Sequence, residues 1–121
     1  MSIVTITAGH GAGDSGAVNG WVTEAEIATD MRNIIKFYLE RDGITVRTDG
    51  TGNTNKSLRE AIKLIKGSKI AVEIHCNSFY LPTARVLEAL AQRKDRAICQ
   101  KLCKAVSDVM GIPIRGSEGG F

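Results

Sequence analysis

Only two histidines occur among the 121 residues of this chain, and each closes a run of β-branched and apolar residues. His10 lies in Ala8-Gly9-His10-Gly11-Ala12-Gly13-Asp14-Ser15-Gly16-Ala17, and His75 lies in Ile70-Ala71-Val72-Glu73-Ile74-His75-Cys76. With Glu24 they make two imidazoles and one carboxylate, the donor set from which a catalytic zinc ion takes three ligands while keeping a fourth position for water. The chemistry such a set supports is metal-assisted hydrolysis.

Each residue also has a reading without a ligand. His10 could be a loop histidine, although Gly9 and Gly11 beside it leave room for backbone wrapped around an ion or small ligand. Glu24 could be a first-turn acid held by the helix dipole, worth about 0.3–1 kcal/mol. His75 could be a hydrogen-bonded core histidine. Strand alternation puts Glu73 on the face of His75, and Ile74 with Cys76 on the other.

The elements that must position these residues follow from pattern. Ile3 to Ala8 reads as a strand running into a glycine-rich loop. Thr23-Glu24-Ala25-Glu26 has capping-box spacing, with Thr23 as N-cap and Glu26 reaching back. A helix over about 24–41 follows, with Ile27, Met31, Ile34, Ile35 and Tyr38 as its apolar stripe and an end near Gly43. Ile44 to Arg47 is a second strand, and Thr48 to Lys56 a polar loop. Ser57-Leu58-Arg59-Glu60 is a second capping box, opening a helix with Leu58, Ala61, Ile62 and Ile65 inward. Lys69 to Cys76 is a third strand.

Residues 79–91 suit a short helix as well as a strand. Asp95 to Met110 is a helix with Ile98, Leu102, Val106, Val109 and Met110 on one side, stopped by Gly111 and Pro113. The βαβαβ order implies an α/β fold, with a mostly parallel (mixed) sheet, helices on both faces, and a site beyond the carboxyl ends of the strands. Residues 1–121 read as a single domain.

Composition narrows the function classes. The chain is 43% hydrophobic and 24% charged with a net charge of +3, too mild for a nucleic-acid footprint. No stretch approaches the ~18 apolar residues of a membrane span. No basic, then apolar, leader precedes Ile3, so the expectation is synthesis in the cytoplasm without a signal peptide. Cys76, Cys99 and Cys103 read as reduced thiols, with Cys99 and Cys103 packing as small hydrophobes rather than binding metal.

Taken together, Gly9-His10-Gly11, Asp14-Ser15-Gly16-Ala17, Glu24 and Ile74-His75-Cys76-Asn77-Ser78 resemble the zinc-dependent N-acetylmuramoyl-L-alanine amidases of the amidase_3 family, the phage endolysins above all. The resemblance runs the length of the chain. It implies one zinc ion held by His10, Glu24 and His75 in an amidase_3-like α/β fold. It also implies hydrolysis of the amide between N-acetylmuramic acid and L-alanine in peptidoglycan, with the cell wall as the place of action.

Asn77 and Ser78 are candidates for contact with the substrate peptide, a turn role being the alternative. The general base that the resemblance implies is a glutamate on a late strand after the last helix, beyond Phe121. Within the chain, Glu73, which shares a face with His75 and could approach the metal, is the candidate for that base, and Glu118 lies in the terminal loop; neither matches the position that the resemblance implies. The expectation is therefore a C-terminally truncated domain lacking its last strand, with an open sheet edge available for self-association.

Two rivals remain. Gly11-Ala12-Gly13-Asp14-Ser15-Gly16 matches G-x-G-x-x-G after a strand, as in nucleotide-binding folds, but such a fingerprint opens its helix at once. Walker A is absent, since no Gly-Lys-Ser or Gly-Lys-Thr occurs. The other rival is a zinc-containing, non-catalytic wall-binding domain with the same fold.

Overall fold

The computed structural model describes residues 2–10, 13–76 and 86–121. Asn77 and Ser78, with residues 79–85, lie outside the described residues, as do Gly11 and Ala12. The chain divides into two compact units, residues 1–78 and 79–121.

The first unit is built on three strands, β1 (Ile3–Ala8), β4 (Thr45–Thr48) and β5 (Ile70–Ile74), all parallel in the order β4-β1-β5. Between β1 and α1 (Glu24–Arg41) runs a short antiparallel hairpin, β2 (Val18–Asn19) and β3 (Val22–Thr23). Its turn holds the chain's only tryptophan, Trp21, 98% exposed. The hairpin was not foreseen, although Asn19-Gly20 between two valines is a turn signal. It also delays the helix to Glu24, which removes the dinucleotide-fingerprint reading.

Alternation along β1 explains the layers. Ile6 and Ala8 face α1 and form the core with Ala28 and Ile74, with Met31, Ile35 and Leu39 packed against it from the helix. Thr5 and Thr7 are buried on the opposite face. There Thr5 Oγ1 donates to the Leu64 carbonyl (3.2 Å) and pairs with Ser68 Oγ, just beyond α2 (Leu58–Lys63). Arg47 Nη1, level with Thr5 on β4, also donates to the Leu64 carbonyl. The helices therefore lie on both faces. The chain steps from β1 to β4 in one direction and from β4 past β1 to β5 in the other, so right-handed crossovers require opposite faces.

The apolar stripes differ from the sequence reading. On α1 the inward positions are Glu24, Ala28, Met31, Arg32, Ile35 and Leu39, whereas Ile27, Ile34 and Tyr38 are exposed. The stripe is rotated because Arg32, fully buried, occupies an inward position. Its guanidinium pairs with buried Asp49 (3.1 Å) and donates to the carbonyls of Gly52 and Thr54. On α2 only Ala61 is buried, while Leu58 and Ile62 are exposed, as is Ile65 just beyond the helix.

The second unit contains a short 3₁₀ turn (Arg93–Asp95) and α3 (Arg96–Met110). Gly111 ends α3 in the left-handed conformation (φ 67°). The buried side chains of α3 are Cys99 and Cys103, while Leu102, Val109 and Met110 are exposed. Leu87, in the segment whose type was left open, forms an isolated parallel bridge with Ile114.

Candidate metal centre

Strand order reverses direction about β1, so the crevice between the carboxyl ends of β1 and β5 is the switch point at which open α/β sheets bind ligands. His10 follows β1 and His75 follows β5. Glu24, the first residue of α1, comes to them from the helix terminus. One ligand atom from each of the three lies within 4.8 Å of the other two.

Glu24 is the hub, with a side chain only 6% exposed. Its Oε1 accepts from the Ala17 N–H (3.2 Å) and faces His10 Nε2 at 3.1 Å. Its Oε2 accepts from the Cys76 N–H (2.8 Å) and faces His75 Nδ1 at 3.1 Å. Burial alone would raise the Glu24 pKa, but the Cys76 and Ala17 amides, with the neighbouring histidines, outweigh it and hold the carboxyl below its ordinary value. The carboxylate is thus kept ionised.

Each imidazole has a second carboxylate on its outer nitrogen. Asp14 Oδ2 lies 2.9 Å from His10 Nδ1, and this bond is the main reason the His10 pKa is raised and that of Asp14 lowered. Glu73 Oε2 lies 2.8 Å from His75 Nε2, as the shared face predicted. Asp14 Oδ1 meanwhile accepts from the Gly16 N–H, which folds the loop back on itself.

The glycines are required by contact. A Cβ on Gly9 would stand 2.4–2.7 Å from the His75 ring, and one on Gly16 would meet the His10 ring at 2.6–2.7 Å and Glu24 Oε1 at 2.9 Å. The two rings meet edge to face with centroids 5.1 Å apart. His10 itself is left-handed (φ 67°), a conformation costing a non-glycine residue about 1–2 kcal/mol. Asn55 braces it, its Nδ2 donating to the carbonyls of Ala8 and His10. Asp49 also accepts from the Ala8 N–H. Asp49 and Asn55 therefore support the end of β1, a role that single-sequence reading missed because it exists only in the fold.

Glu24, His10 and His75 suit zinc by donor chemistry. Ligand atoms about 2.0–2.1 Å from a tetrahedral ion stand about 3.3–3.4 Å apart, close to the two 3.1 Å separations around Glu24. Beside this centre opens a cleft of about 450 Å³, lined by Ala8, His10, Asp14, Lys56, Ser57, Leu58, Glu73 and His75. Glu118, the other carboxylate considered, belongs to the second unit and pairs with Arg96 there (3.6 Å).

Comparison with known proteins agrees with this architecture. Residues 4–120 match the family described as N-acetylmuramoyl-L-alanine amidase (Amidase_3), and the chain belongs to that family. Among solved structures, it is 47% identical to a Neisseria meningitidis protein assigned as an N-acetylmuramoyl-L-alanine amidase, with a TM-score of 0.85. The match covers 98% of this chain and 65% of that one, so the chain spans just under two thirds of its relative's length.

The catalytic domain of CwlV, an N-acetylmuramoyl-L-alanine amidase from Bacillus (Paenibacillus) polymyxa, shares the fold at 21% identity (TM-score 0.79, 99% of this chain and 73% of that one). So does AmiC2 of Nostoc punctiforme at 20% identity (TM-score 0.77, 95% and 67%). A search of curated protein sequences returned no match.

Proposed function

We propose that this chain is a zinc-dependent peptidoglycan amidase of the endolysin type, cleaving the amide between the lactyl group of N-acetylmuramic acid and L-alanine. The observation that carries the reading is the placement of Glu24 between one nitrogen of His10 and one of His75. Membership of the family supports the substrate class. One match across residues 4–120 spans both compact units, which supports treating them as parts of one catalytic domain.

His10 Nε2, Glu24 and His75 Nδ1 would hold the ion. Bound there, zinc supplies Lewis acidity that polarises an amide carbonyl and brings the pKa of a water toward about 7. The protein's share is to keep Glu24 ionised, to keep the His10 imidazole aimed by Asp14, and to present the peptide along the cleft toward Lys56. Water adds to the amide carbon and the C–N bond breaks. A lactyl carboxylate and a free L-alanine amine are left.

Asn77 and Ser78 are proposed to contact the peptide. The same reading takes peptidoglycan as the partner, with no role for nucleic acid or membrane insertion. Among the described residues no helix is long and apolar enough to cross a membrane. Self-association through β4 or β5, the outer strands of the described sheet, belongs to the proposal as well.

The test is elemental zinc analysis of the purified chain together with release of L-alanine amines from peptidoglycan. One zinc per chain with amine release is expected, and His10→Ala and His75→Ala should each lose the metal. Equal zinc in wild type and His75→Ala would overturn the site. Zinc without release would favour the non-catalytic wall-binding reading.

A further inference from the structure

The second carboxylate on His75 has a role that the metal-binding reading leaves unassigned. His75 lies one residue beyond β5, with a side chain 43% exposed, so no strand pairing fixes its ring. Rotation of an imidazole about its Cβ–Cγ bond exchanges the positions of Nδ1 and Cδ2. Only one of those orientations presents a nitrogen to Glu24. Something must select it.

From the contacts of Glu73 we infer that this residue is the positioning residue that makes the selection. Its Oε2 sits 2.8 Å from His75 Nε2, on the far side of the ring from Glu24. Its other oxygen is braced in turn, since Oε1 accepts from Thr7 Oγ1 (3.4 Å), whose residue is the cross-strand partner of Glu73 on β1. Below the ring, Gly9 leaves space for the imidazole and no more. The ring is thus held by a carboxylate on each nitrogen and by backbone beneath it.

His75 Nε2–H donating to Glu73 leaves the Nδ1 lone pair free for a cation beside Glu24. A carboxylate behind a ligating histidine fixes its tautomer and the orientation of its ring. Asp14 stands in the same relation to His10, so the centre is framed by two such pairs. Glu73 is not among the atoms that converge on the ion position. An acceptor already engaged by an imidazole N–H and a threonine hydroxyl is poorly placed to serve as the proton acceptor for water, the role its proximity to His75 first suggests.

This inference rests on the zinc reading. Its test is zinc affinity, measured by chelator competition on the full chain, with the absorption spectrum of the cobalt-substituted protein as a second readout. Glu73→Ala should lower zinc affinity about 10- to 100-fold and alter the cobalt spectrum. Glu73→Gln, whose amide oxygen still accepts from Nε2–H, should recover most of the loss. Glu40→Ala, on the exposed side of α1, should change neither.

Wild-type affinity and an unchanged spectrum in Glu73→Ala would overturn the inference, as would a loss in Glu73→Gln equal to that in Glu73→Ala. Loss of amine release with unchanged zinc affinity would also overturn it, by making Glu73 the base. If wild type itself takes up no zinc, both the inference and the reading beneath it fall. If Glu73→Ala does not fold, Glu73→Leu, which fills the space without an acceptor for Nε2–H, takes its place in the same comparison.

Discussion

Gly9 shows how strictly the centre is built at the level of single atoms, because the face of the His75 ring occupies the volume a side chain would need. Gly9→Ala should push that ring away from Glu24 and lower zinc affinity about tenfold or more while leaving the helical circular dichroism intact. An unchanged affinity would mean that the ring can shift without cost.

The thiols make a second residue-scale case. Burial, first among its causes, raises the thiol pKa of Cys99, and burial together with nearby Cys99 and Glu88 raises that of Cys103. A raised pKa leaves less thiolate at any given pH. In a Cys76→Ser background, disulfide-exchange labelling of the native protein should therefore be slow, should quicken as pH rises, and should become fast in denaturant. Fast labelling of the native protein would contradict the burial. At this scale the residues of the candidate centre were legible, since two histidines and a first-turn acid stand out by chemistry alone, and the fold brings the three together. Asp14, Asn55 and Asp49 were not, since what they touch is decided by the path of the chain.

At the level of elements, α1 carries Glu24 to the centre, and its start is fixed by Thr23, whose hydroxyl accepts from the Glu26 N–H (3.2 Å). Thr23→Ala should cost about 0.5–2 kcal/mol in urea unfolding. The reciprocal half of the capping box is not formed, because the Glu26 side chain makes no hydrogen bond back to Thr23. Glu26→Ala should accordingly stay within about 0.5 kcal/mol of wild type, rather than show the larger cap cost that the motif suggests.

The bounds of β1 and α1 were readable from β-branched runs and the cap residue. The facing of α1 was not. Apolar periodicity assigned Ile27, Ile34 and Tyr38 inward, whereas the helix turns Arg32 inward to meet Asp49 at the end of β4. Removing one member of a buried ion pair strands the other charge, so Asp49→Ala should cost about 3–5 kcal/mol. A loss below about 1 kcal/mol would show that water or another group replaces it.

On the scale of the whole molecule, a parallel sheet, crossovers on opposite faces and a site at the switch point follow from the βαβαβ order. The alternation was legible because each strand is a short β-branched run between capped helices. The segment after β5 resisted reading because its apolar residues fit two periodicities at once. The chain spans 65% of its Neisseria relative, and β4 and β5 are the outer strands of the described sheet. Sedimentation velocity over a range of concentrations should show reversible association if those edges pair. A constant monomer would remove that part of the proposal.

The tip of the β2–β3 hairpin sets how this protein can be watched. Its one indole, on Trp21, is 98% in solvent in the native state, three residues before Glu24. Intrinsic tryptophan emission will therefore be red and readily quenched whether the core is folded or not, and an unfolding curve drawn from it will be nearly flat. The same nakedness makes that emission a sensitive reporter of anything that settles over the hairpin.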